Sequence, residues 1–178
     1  MKKETTFEAM IKPVIVLFCI CLVVSALLGF TNSVTAPIIE ENARITAEQP
    51  RSAVLAGATG FTEVELSDAQ LSELNITGAY KENSGLGYVI TSANKGYGGD
   101  VTVTVGLDAS GKIVGLSANV STETSGVGSK AGQEAYTDQF VGLTGNSDSV
   151  DKISGATYSS TAVKTGVNAA LAAYDAIK

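Results

Sequence analysis

Histidine is absent from the 178 residues. Zinc sites built on imidazole, Ser-His-Asp triads and histidine acid–base catalysis are therefore excluded together. Cysteine is scarce, and both copies, Cys19 and Cys21, fall inside one apolar run. The rest of the chain can form no disulfide and gives no redox clue of its own. Within that run the two thiols lie two residues apart, on different faces of a helix, and read as small apolar side chains rather than metal ligands. Basic residues number 12 against 18 acidic ones and form no stripe, so nucleic acid is a poor partner. Asp138, Asp148 and Asp151 lack the spacing of a metal cluster and read as turn and cap residues. Redox or group chemistry in such a chain must come from a bound cofactor.

What is present begins with residues 14–30, which are apolar almost throughout, softened only by Ser25 and Gly29. At 1.5 Å per residue they cover ~26 Å, and Pro13 and Thr31 extend the run to bilayer thickness. A cleaved signal peptide competes with this reading. Its best cut would follow Ala36, where Pro37 blocks it, and neither cysteine has the small preceding residue of a lipoprotein signal. The sequence favours an uncleaved anchor. Residues 1–30 hold Lys2, Lys3 and Lys12 against Glu4 and Glu8, so of the net charge of −6 the remainder carries −7. Lysines before the span and Glu40 and Glu41 beyond it place the N-terminus in the cytoplasm and the rest outside. The expected organisation is a cytoplasmic N-terminus (1–12), a transmembrane helix (13–31), a helical stalk and linker (32–60) and one domain (61–178).

The stalk reads as a helix over residues 33–55, tolerating Pro37 near its start and kinked or divided at Pro50. Residues 57–60 read as a linker, 61–66 as a short strand, and 67–74 as one or two helical turns. Strands follow over 76–81 and 87–92, then a glycine loop, then a strictly alternating strand over 100–107. Residues 108–111 make a hairpin turn into a returning strand over 112–120. Residues 132–140 read as a short helix with Ala135, Tyr136 and Phe140 inward. The last element is an amphipathic helix whose Val163, Val167, Ala170, Leu171, Tyr174 and Ile177 share one face. Ser159, Ser160 or Thr161 are its candidate N-caps, which starts it within a residue or two of Thr157. An antiparallel meander closed by a C-terminal helix, behind an N-terminal membrane helix, is an α+β layout.

The helix start also places free N–H groups and a positive dipole end at Thr157, an anion site that Gly155 and Ala156 leave open to a large group. The run Asp151-x-x-Ser154-Gly155-Ala156-Thr157 resembles the attachment motif of proteins that carry flavin mononucleotide (FMN) bound through its phosphate to a threonine hydroxyl. Two upstream stretches resemble the same FMN-binding domain family. One is Gly96-Tyr97-Gly98-Gly99 ahead of an alternating strand and a turn with Gly111. The other is Glu123-Thr124-Ser125-Gly126-Val127-Gly128, where the family has Glu-Thr-Pro-Gly-Leu-Gly with a histidine two residues before the glutamate. This chain departs from that pattern in carrying Ser121 for the histidine and Ser125 for the proline, which softens the loop. Backbone N–H groups and the Thr124 hydroxyl remain available to a flavin ring. Tyr97, Tyr136 and Tyr158 are aromatic enough to flank one, although a half-buried tyrosine in a small domain is ordinarily packing.

The plan of one span, a stalk and one FMN domain is most similar to the G subunits of Rnf complexes. The C subunits of Na⁺-translocating NADH:quinone oxidoreductases are related. The resemblance implies covalent FMN on Thr157, with Asp151, Ser154, Gly155, Ala156, Tyr158, Gly96, Tyr97, Gly98, Gly99, Glu123, Thr124 and Gly126 around it. It also implies no catalytic side chains, a separate FMN transferase for maturation, other membrane subunits as partners, and an electron relay between ferredoxin and NAD coupled to ion pumping. A free-standing anchored extracellular flavoprotein is the alternative; a structural module in which Thr157 only starts a helix is the third reading.

Overall fold

The computed structural model describes residues 6–178; Lys2, Lys3 and Glu4, on which part of the orientation argument rests, lie outside the described residues. It divides into two compact units, Met1–Thr46 and Ala47–Lys178. The first helix, α1 (Thr6–Val54), contains the apolar stretch Pro13–Ser33, which is long and apolar enough to cross a membrane. Its large side chains, among them Leu17, Phe18, Leu28 and Phe30, are exposed along the helix. The hydroxyls at its end turn back on their own backbone: Thr31 donates to the Leu27 carbonyl at 2.9 Å and Ser33 to Phe30 at 2.8 Å. Such bonds satisfy a hydroxyl where no water is at hand. Cys19 and Cys21 are exposed and unpaired.

None of the three prolines, Pro13, Pro37 and Pro50, interrupts α1, which runs on to Val54 rather than dividing at Pro50. Pro50 removes one backbone bond from the ladder four residues before the helix end, and packing of the last turn holds the helix past it. The last turn has its own anchorage in the second unit. Val54 and Leu55 are buried against Val89 with Phe61, Ala58 and Tyr80 around them, and the Arg51 guanidinium lies 3.5 Å over the Tyr80 ring.

The second unit is built on five antiparallel strands in sequential order: β1 (Phe61–Glu63), β2 (Ile76–Glu82), β3 (Gly87–Lys95), β4 (Asp100–Asp108) and β5 (Ile113–Asn119). A short helix, α2 (Asp68–Leu74), joins β1 to β2. The first strand stops at Glu63 instead of reaching residue 66: its register on β2 ends at Glu63 opposite Tyr80, followed by one last bond from the Val64 N–H to the Ala79 carbonyl at 2.8 Å. β3 instead continues past residue 92 to Lys95, which pairs with Asp100 across the glycine loop. The linker residues are fastened as well: the buried Glu82 carboxylate accepts the N–H groups of Thr59, Ser84 and Leu86 at 3.3, 2.7 and 3.1 Å.

Alternation on β4 decides which face is the core. Val101, Val103, Val105 and Leu107 point inward and are fully buried with Ile90 and Ile113. The C-terminal helix, α4 (Thr157–Ile177), covers them with Val163, Val167, Ala170, Leu171 and Tyr174; Ile177 is only partly buried. Each buried Val, Ile or Leu in this layer is worth roughly 1.5–3 kcal/mol of burial. Gly166 lets the helix lie close, since a Cβ there would stand 2.8 Å from both Val103 and the Ser92 hydroxyl. On the opposite face, Gly106 and Gly115 pair across β4 and β5, and a Cβ on either would collide with the Val54 carbonyl.

The segment between β5 and α4 is not one helix over 132–140. It is a 3₁₀ turn (Gly128–Gly132), one α-turn, α3 (Glu134–Thr137), and a second 3₁₀ turn (Asp138–Phe140). Tyr136 and Phe140 are buried and meet edge to face at 5.3 Å, but Ala135 is exposed. The change from 3.6 to 3 residues per turn rotates Ala135 away from the face that a regular helix would give it.

Candidate functional site

Three segments far apart in sequence meet at the N-terminus of α4. The helix begins at Thr157, so the expected start holds, but its caps do not. The N-cap residue is Ala156, and no side chain caps the helix. Ser159 and Ser160 lie in the first turn instead, and Thr161 just after it. The Ser160 hydroxyl is buried, donates to the Ala156 carbonyl at 2.9 Å and accepts the Ile153 N–H at 3.2 Å. The Ser159 hydroxyl donates to the Glu123 carboxylate. Tertiary partners draw this serine run inward, and the first N–H groups are left without a side-chain acceptor.

The approach to the helix is pinned to it. The Ser147 N–H donates to Asn168 Oδ1 at 2.9 Å, and the Lys164 ammonium donates to the Val150 carbonyl. Beyond these ties Asp151, Ser154, Gly155 and Thr157 are exposed, and Gly155 takes φ +81° with nothing near its missing Cβ. The backbone there needs glycine for its conformation rather than for space.

The glycine loop closes with the Gly96 N–H on the Gly99 carbonyl at 2.8 Å. A Cβ on Gly98 would collide with the Thr122 carbonyl, and one on Gly99 would stand 2.8 Å from the Thr122 Cβ. The Thr122 hydroxyl in turn donates to the Asp100 carbonyl at 3.1 Å. In the following turn Val127 and Ser129 donate N–H groups to the Thr124 carbonyl, and Gly126 donates to the Ser129 hydroxyl at 2.9 Å. These bonds hold a loop in which Ser125 occupies the proline position.

Between the three segments lies a cleft of about 410 Å³, lined by Tyr97, Glu123, Thr124, Val127, Gly128, Gly155, Ala156, Thr157, Tyr158 and Ser159. Tyr97 and Tyr158 stand at it with ring centroids 6.2 Å apart, tilted 46° and 74% and 69% exposed. Of the residues expected at a flavin site, the cleft wall gathers Thr157, Gly155, Ala156, Tyr158, Tyr97, Glu123 and Thr124. Gly96, Gly98, Gly99 and Gly126 shape the loops behind it, while Asp151 and Ser154 lie on the exposed approach. Tyr136 is core packing. Val127, Gly128 and Ser159 also line the cleft. The first two complete a glycine-rich run visible in the sequence, whereas nothing in the sequence reveals that Ser159 turns towards residue 123.

The electrostatics are spare. Among the described residues, Glu123 is the only charged one in the lining. Burial alone would raise its pKa, but the Ser159 hydroxyl and the N–H groups of Gly98, Tyr97 and Gly99 outweigh that and hold it below the ordinary carboxylate value. The cleft therefore offers aromatic faces, the exposed Thr124 and Thr157, and a single carboxylate that is already hydrogen-bonded. Glycines that keep the walls thin, an uncapped helix start and a threonine hydroxyl at the rim fit a planar aromatic group carrying a phosphate.

Comparison with known proteins points the same way. Residues 96–172 match the FMN-binding domain family, and residues 1–49 match the RnfG N-terminal region. The chain is 31% identical over 198 residues to the G subunit of the Na⁺-translocating ferredoxin:NAD⁺ oxidoreductase complex of Acetobacterium woodii, covering 97% of this chain and 95% of that one. It is 31% identical over 103 residues to the G subunit of the proton-translocating ferredoxin:NAD⁺ oxidoreductase complex of Clostridium ljungdahlii, covering 52% and 56%. With all three segments of the cleft inside the matched region, the chain belongs to the RnfG family, the G subunits of Rnf ferredoxin:NAD⁺ oxidoreductase complexes, and carries that family's FMN-binding domain.

Proposed function

We propose that this chain is the membrane-anchored electron-relay subunit of an ion-translocating ferredoxin:NAD⁺ oxidoreductase complex, with FMN joined through its phosphate to the Thr157 hydroxyl. The observation that carries it is the cleft at the start of α4, where an exposed threonine, uncapped helical N–H groups and two glycine-shaped walls converge. Bound FMN would supply the reversible electron transfer that no side chain here supplies.

The chain's own residues hold and tune that group. Thr157 would provide the ester oxygen, and the positive end of α4 would hold the residual phosphodiester charge, an arrangement worth roughly 0.3–1 kcal/mol where exposed. Gly155 lets the backbone turn away from the phosphate. Tyr97 and Tyr158 flank the ring, and Thr124 offers its hydroxyl to a ring carbonyl. Covalent attachment answers a physical need: a flavin facing the outer medium would otherwise dissociate where free FMN is scarce. A relay needs no acid, base or nucleophile, and the one carboxylate in the cleft, Glu123, is already engaged by Ser159 and the glycine loop.

The stretch Pro13–Ser33 is the anchor. Lysines ahead of it and acids beyond it put the N-terminus in the cytoplasm and the FMN domain, from about residue 61, on the outer face behind the stalk of residues 32–60. A flavin transferase outside the membrane loads the domain, and the remaining subunits of the complex are its partners. Purification of a tagged chain from its native membranes tests the assignment. Membrane subunits of an Rnf complex should copurify in fixed proportion and the preparation should be yellow. A yellow chain that leaves the membrane alone would instead favour a free-standing anchored flavoprotein.

A further inference from the structure

Glu123 is 7% exposed, deep for a carboxylate that has no cation in contact among the described residues. Its two oxygens serve different elements. Oε1 accepts the Gly98 N–H at 2.8 Å from the glycine loop, and Oε2 accepts the Ser159 hydroxyl from the first turn of α4. The glycines around it are the room it occupies. A Cβ on Gly96 would stand 2.5 Å from Oε1, and one on Gly128 would stand 2.8 Å from Oε2 and 2.6 Å from the Ser159 oxygen. The charged residues flanking the loop, Lys95 and Asp100, are exposed and pair with each other at 3.4 Å.

We infer that Glu123 is a positioning residue: its carboxylate latches the glycine loop to the first turn of α4, and its negative charge sits in the wall of the ring site. The latch fixes Tyr97 and Tyr158, one on each latched segment, at their spacing across the cleft. The charge opposes the extra electron density of a reduced ring, so it holds the flavin potential down. The second consequence rests on the flavin reading; the first does not.

The two are separated by using the full-length chain in lipid nanodiscs, once unloaded and once loaded by coexpression with an FMN transferase. In the unloaded chain, amide hydrogen exchange over residues 96–99 should be on the order of tenfold faster in both Glu123→Gln and Ser159→Ala than in the wild type. Unchanged exchange would overturn the latch, and Ser159→Ala alone decides that arm if Glu123→Gln does not fold. In the loaded chain, Glu123→Gln, which keeps the shape and removes the charge, should raise the flavin midpoint potential, whereas Ser159→Ala should not. An equal or lower potential in Glu123→Gln would overturn the electrostatic role. A wild-type chain that takes up no flavin would instead refute the flavin reading and leave the exchange result standing.

Discussion

At the residue scale, three carboxylates are tied by N–H and hydroxyl donors, whereas the ion pairs Lys95–Asp100 and Lys178–Asp175 lie exposed. Burial would raise the Glu82 pKa, but the N–H groups of Leu86, Thr59 and Ser84 overcome it and the value falls below the ordinary one. Asp108 is lowered chiefly by the Ser110 hydroxyl and the Lys112 N–H, which close the β4–β5 turn, and Glu123 is lowered as described. A group whose pKa is depressed on folding stabilises the fold above its unfolded-state pKa, and that contribution is lost as pH falls through the folded value. Stability to urea should therefore be level through neutral pH and decline once pH enters and passes below the ordinary carboxylate range. Glu82→Gln should lower the neutral-pH urea midpoint and flatten the acid decline. A decline as steep in the variant as in the wild type would assign the acid sensitivity elsewhere. The Thr124 hydroxyl allows a second residue-scale test. Thr124→Val keeps its shape, so flavin loading should persist while the flavin potential shifts by the worth of one neutral hydrogen bond, about 1 kcal/mol. A redox titration identical to the wild type would show that Thr124 faces away from the ring.

At the scale of elements, the contact between α4 and the sheet sets how far substitution is tolerated. Gly166→Ala gains up to about 1 kcal/mol of helix propensity but pushes a methyl against Val103 and Ser92, and overpacking of that kind costs about 1–3 kcal/mol. The clash wins, so Gly166→Ala should destabilise. Thr165→Ala, on the exposed side of the same helix, should stabilise by a few tenths of a kcal/mol. Urea denaturation of the pair checks the sign of each, and a stabilised Gly166→Ala would mean that the helix stands further from the sheet. The β3–β4–β5 meander and α4 are legible in the sequence because alternation and a 3.6-residue period are local signals. The three glycine-bearing motifs are legible as well, and the fold gathers them. Local pattern is silent on what partners decide. The Ser159 hydroxyl is claimed by a carboxylate 36 residues away, α1 continues to Val54 because Val89 and two paired glycines receive its last turn, and Ala135 turns outward where 3₁₀ geometry intervenes.

For the whole molecule, the proposed topology puts the domain on the outer side of the membrane. Protease added to intact spheroplasts should digest the domain and spare the N-terminus; a protected domain would place the relay on the wrong side. The central claim is the bond at Thr157, and mass spectrometry of the chain coexpressed with an FMN transferase tests it most directly. The wild type should gain the mass of FMN less water, with the added mass on the peptide containing Thr157 and fluorescence surviving denaturation. Thr157→Ala removes the ester oxygen and should show neither. A mass-shifted, fluorescent Thr157→Ala chain, or a wild-type chain modified at another residue, would contradict the account.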